Sequence, residues 1–83
     1  IEWPDFVFSP NYALRSLYDV EAFVLENKHL PDVPSAEDVK TDGINVAEMN
    51  AVLLQKVEEL TLYLIALQKQ LDETERKLKA MQE

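Results

Sequence analysis

Cysteine is missing from this sequence, and glycine occurs once, at Gly43. Without thiols, neither a disulfide framework nor a thiolate zinc site can hold the fold together. In 83 residues a single hydrophobic core is marginal, and association with other chains is the usual remedy. Basic residues are also scarce, 8 Lys and Arg against 16 Asp and Glu, a net charge of −8. A phosphate-binding surface needs clustered cations, so no nucleic-acid partner is expected. Ser35 to Asn45, ahead of the strongest helical pattern, holds three acids and one lysine, which excludes a basic-region zipper. Apolar runs are short, the longest being Leu62 to Leu67, far below the roughly 20 residues of a membrane span. No signal peptide is visible, and a chain opening on Ile1 reads as a fragment of a longer protein.

What the sequence does contain is a heptad. With Val57 at position a, the a positions read Asn50, Val57, Leu64, Leu71 and Leu78, and the d positions read Val46, Leu53, Leu60, Leu67, Thr74 and Met81. About five heptads run without a break, the pattern of a left-handed coiled coil. No second helix of comparable length exists in the chain to cover this stripe, so its partner is another copy of the same chain or a different protein. Leucine at both a and d does not choose among two, three and four strands. Asn50 at a can pair with its own copies and fix register, or sit half-solvated near the helix start and specify nothing. The g to e′ pairs, Lys56 with Thr61, Tyr63 with Gln68, Gln70 with Glu75 and Lys77 with Gln82, leave partner identity undictated by charge.

Ahead of the heptads, Ile1 to Phe8 reads as a short extended segment carrying Trp3, Phe6 and Phe8, kept to an edge by Pro4. Ser9, Pro10 and Asn11 signal a turn leading to Tyr12. Ser16 is an N-cap with Asp19 at N3, and Leu17, Val20, Phe23 and Val24 form one apolar face. That helix is expected to stop at Asn27 in a left-handed conformation. Pro31 to Pro34 is an extended connector, and Ser35 with Asp38 caps one helical turn through Val39. Gly43 supplies a turn with positive φ. Asn45 caps the long helix, with Glu48 at N3 and an Ile44 to Met49 staple. From there to Gln82 no Pro or Gly intervenes, a rod of roughly 55 Å at 1.5 Å per residue.

Off the seam, Val52, Leu54, Leu62, Tyr63 and Ile65 make the first half of the rod apolar nearly all round, and from Gln68 onward the outer face turns polar. A helix apolar on every side is covered on every side. Residues 1–44 therefore form a collar on the upper rod, residues 45–83 the coiled-coil helix, and the last two heptads stay bare. Trp3, Phe6, Phe8, Tyr12, Leu17, Val20, Phe23, Val24, Leu30, Val33 and Val39 supply the covering surface. The fold class is mainly α, with short helices and an extended aromatic segment packed on a long C-terminal helix.

Catalytic apparatus is not visible. His29 is the one histidine and, with no second imidazole or thiol, reads as structural. Glu37, Asp38 and Asp42 lack the alternation of a calcium loop. Ser16 and Ser35 are used as caps, Ser9 lies in a turn, and neither Ser-x-x-Lys nor Gly-x-Ser-x-Gly occurs. Glu58, Glu59, Lys69, Glu73 and Lys77 read as a solvated surface with i,i+4 support. No cofactor, metal or enzymatic activity is expected.

Four stretches, WPDFVFSPNY from Trp3, SLYDVEAFVLENKHLPDVPSAEDV from Ser16, DGINVAEMN from Asp42 and LLQKVEELTLYLI from Leu53, together resemble a C-terminal module of large Bacteroidetes tail-fibre-domain and cell-surface proteins. The resemblance covers nearly the whole chain. It implies a terminal cap that trimerises a fibrous protein at the cell surface or on a phage-like particle, with the upstream fibre of the same chain as its other partner. More distantly the chain is similar to the helical intramolecular chaperones of phage tailspikes, some of which release themselves through a serine and a lysine. The matching Ser-Asp-Arg-x-x-Lys signature is missing here. A self-cleaving chaperone and a module docking a foreign helix or a glycan are the alternatives to a trimerisation cap.

Overall fold

The computed structural model describes residues 3–82, and the expectations placed on Ile1, Glu2 and Glu83 lie outside them. Among the described residues the fold is mainly helical and contains no strand. A short 3-10 helix, Pro4–Phe8, is followed by α1 (Leu17–Asn27), α2 (Ala36–Asp42) and α3 (Val46–Gln82).

The aromatic opening is not extended. Trp3 has extended dihedrals, as the residue before a 3-10 helix that has Pro4 in its first turn. Proline presets φ near −65°, and its missing N–H costs nothing at a helix start. Asp5 also stands in that first turn, where a carboxylate favours the free N–H groups. Local backbone preference thus outweighed the strand propensity of Trp and Phe. The chain then reverses at Ser9 to Tyr12, where Tyr12 N–H donates to Ser9 O at 3.0 Å, with Pro10 at the second position of the turn, where its fixed φ fits.

Ser16 Oγ accepts the Asp19 N–H at 3.1 Å and starts α1. The helix ends at Asn27, but the left-handed residue is Lys28, at φ 63°. Asn27 stays helical and its side-chain amide donates to Phe23 O. Pro31 to Pro34 is a turn rather than an extended connector: Val33 N–H donates to Leu30 O, and Asp32 takes φ 68°. Around α2 the reciprocal pair is complete, with Ser35 Oγ accepting from Asp38 N–H and Asp38 accepting from Ser35 N–H, both at 3.1 Å. That donated N–H holds the Asp38 carboxyl below its usual range. The helix runs through Asp42, one turn further than the cap alone implied, and Gly43 ends it at φ 78°.

Asn45 Oδ1 accepts the Glu48 N–H at 3.1 Å, and Ile44 and Met49 line one shallow hollow beside that start. From Val46 the helix runs 37 residues, and the molecule is 61 Å along its longest axis. The collar packs along its first half only. Closest to α3 lies the 3-10 helix. Among the described residues Val7 (1% exposed), Pro4, Pro31 and Ala51 (6%) are the buried ones. So small a core cannot anchor a 37-residue helix by itself, since helical stability in proteins comes chiefly from packing an apolar face.

Candidate oligomerisation face

The collar occupies one side of α3 and leaves the heptad seam alone. Ala51 and Glu58 at b, Val52 and Glu59 at c, Gln55 and Leu62 at f, and Met49, Lys56 and Tyr63 at g are buried or half-buried, with Leu54 at e half-buried as well. All eleven seam positions are exposed in the single chain: Val46, Asn50, Leu53, Val57, Leu60, Leu64, Leu67, Leu71, Thr74, Leu78 and Met81. Leu53 is the best covered of the apolar ones, at 47%, and Leu64 stands at 65%. The same helix therefore has a collared face and an uncovered leucine face.

Polar side chains fix the collar where it lies. Tyr12 Oη donates to Glu59 Oε2 and accepts from Gln55 Nε2 at 3.1 Å. Lys56 Nζ donates to Asp32 at 3.0 Å and to Glu59 Oε1 at 3.1 Å, and Tyr63 Oη donates to Arg15 O at 2.7 Å. The Lys56 and Glu59 side chains are only 12% and 14% exposed, which excludes water from this pair more than a surface ion pair allows. Burial raises the Tyr12 hydroxyl pKa, with the Glu59 hydrogen bond adding to it. Burial also raises that of Tyr63, again beside Glu59. For Lys56 burial pulls downward, yet the bonds to Asp32 and Glu59 outweigh it and the ammonium is held above its usual range.

Several expected roles are revised by this arrangement. Glu59 is a collar anchor and not a solvated acid, Glu58 is half-buried beside it in sequence, and Lys56 turns back into its own chain. Lys69, Glu73 and Lys77 do lie on the polar outer surface of the lower rod, where Glu73 pairs with Lys77 at 3.9 Å and with Arg76. Within the collar Phe6, Tyr12, Val20, Phe23 and Val24 are half-buried, as are Val33 and Val39. Phe6 and Tyr12 meet with ring centroids 5.9 Å apart. Trp3 (61%), Phe8 and Leu17 remain exposed, and so does Ile65 on α3. The 3-10 helix turns Pro4 and Val7 inward, three residues apart, and leaves Phe8 outward, and the collar ends above Ile65. Leu30, counted among the covering residues, is also left exposed.

His29 packs edge-on to Phe23 at 5.5 Å, with Nδ1 2.9 Å from Leu30 O, so it closes the end of α1. No group of three metal-ligating side chains occurs among the described residues, and no helix there is long and apolar enough to cross a membrane. Sequence reasoning counted Tyr63 as surface to be covered but missed Gln55, Lys56 and Glu59 as collar anchors. The signal for all but Lys56 is a second stripe off the seam: Gln55, Glu59, Leu62 and Tyr63 recur at i, i+4, i+7 and i+8. No family model matches the chain, and no curated protein or solved structure is significantly similar to it.

Proposed function

We propose that this chain is a homotrimeric, parallel coiled-coil module that brings copies of a fibrous surface protein together and sets their register. One observation carries the reading: every a and d residue of α3 is exposed, while the b, c, f and g positions from Met49 to Tyr63 are buried or half-buried under the collar. The nine apolar seam residues are each about half exposed or more. Covering the rest gives roughly 1 kcal/mol apiece, on the order of 10 kcal/mol per chain.

Like chains are the natural occupants, because an unbroken heptad in one helix matches the same heptad in its copy layer by layer. Parallel orientation puts Asn50 opposite Asn50, where the amides can bond to one another and penalise slipped registers. Three strands, a surface location and an upstream fibre rest on the resemblance of the four sequence blocks to Bacteroidetes fibre caps. The module acts by binding itself and needs no cofactor. Sedimentation equilibrium tests the reading: the native chain sediments as three copies, and Leu64→Asp or Leu60→Asp, which places a carboxylate in the seam, releases monomers. A trimer that survives either substitution sinks it.

A further inference from the structure

Between α1 and α3 the collar leaves a pocket of about 100 Å³ whose apolar wall is Leu17, Val20, Leu30, Pro31 and Leu60. Leu60 belongs to the seam, so this hollow is continuous with the oligomerisation face. Lys56 and Tyr63, which also border it, occupy g positions, and in a parallel coiled coil the g flank of one helix faces the e flank of the next. On the opposite flank of α3 the stripe Ala51, Leu54, Glu58, Thr61, Ile65 runs at b and e. It is covered through Glu58 and exposed at Thr61 and Ile65. Ile65, 46% exposed, lies outside the seam, and in an in-register parallel assembly the e flank that carries it faces the neighbour's g flank, where the pocket opens.

Resting on the trimer reading, we infer that the pocket of each protomer receives Ile65 of the adjacent protomer, making a ring of three contacts outside the leucine seam. The sizes agree. A cavity of roughly 150 Å³ holds the six carbons of benzene, so the ≈ 100 Å³ here suits the four side-chain carbons of isoleucine. Leu17 and Leu30, exposed in the single chain, become covered in the same step. The collar then does more than shield its own helix, because it reads the neighbour's axial position through one side chain on a rigid rod.

The chain has no cysteine of its own, which allows a direct test. Ile65→Cys combined with Leu30→Cys, treated with a short bismaleimide, is expected to give covalent species up to three chains on denaturing electrophoresis. Either single cysteine is expected to give none. An intrachain product, or no crosslink in a double variant that sediments as a trimer, overturns the inference and leaves the trimer intact. A monomeric wild-type chain overturns both. Should circular dichroism show that Leu30→Cys unfolds the collar, Leu17→Cys with Ile65→Cys gives the same readout.

Discussion

The upper and lower halves of α3 share one helix and one heptad repeat but have opposite surroundings. From Met49 to Tyr63 the side away from the seam is sheathed by the collar, with Tyr12, Asp32 and the Arg15 carbonyl bonded to it. From Leu64 to Gln82 every position except Glu73 is exposed, and the contacts there are short-range, such as Gln68 to Asp72 and Glu73 to Lys77. A bare half with an intact leucine stripe has no partner within its own chain. The collar reaches the b, c, f and g positions of the upper half and leaves the leucine stripe uncovered along both halves, which is the face the proposed self-association would use.

Charge in the seam breaks this comparison most severely. Leu64→Asp should raise the dissociation constant by at least a thousandfold and melt the lower rod, read as lost ellipticity on dilution; the collared half should retain the most structure. Next comes Val7→Ala, which removes two buried methyl groups and should lower collar stability by about 1–3 kcal/mol while the trimer persists in sedimentation. Gly43→Ala should cost about 1–3 kcal/mol through backbone strain alone, because a Cβ there meets no atom within 4 Å. Thermal melts would register it. Ser35→Ala, which removes the α2 cap, should cost about 1 kcal/mol and accelerate amide exchange in α2 only.

Alkaline pH separates the halves without mutation. Tyr12, Tyr63 and Lys56 are all held above their ordinary values in the folded chain. Their contribution is therefore complete below about pH 10 and is lost as pH rises through the raised values. Collar release should precede loss of the helical rod, and the tyrosinate absorbance of the native chain should rise later than that of the denatured chain. Simultaneous loss of both halves would contradict a collar held by these groups.

The long helix was legible because its signals agree: Asn45 at the cap, no Pro or Gly to Gln82, and leucines at gaps of three and four. The outer face turns polar at Gln68, and from Leu64 to Gln82 every residue except Glu73 is exposed. Fine structure in the collar was less legible. Pro4 prefers a helical first turn as well as a sheet edge, and Trp3, Phe6 and Phe8 have strand propensity in either case, so residues 4–8 were misjudged. Lys28 takes the left-handed position beside an asparagine better suited to it, and no local rule separates the two. Glu59 looked like a surface charge and Lys56 like a flank of the seam because their collar partners, Tyr12 and Asp32, lie far away in sequence. Ile65 has the hydrophobicity of a covered residue, yet the collar stops short of it.

The central claim is that the leucine face of α3 is closed by copies of the same chain. Sedimentation equilibrium of the native chain at micromolar concentration addresses it most directly. Three chains of 9.6 kDa each in one particle is the predicted result. A folded, helical species with the mass of one chain would contradict it.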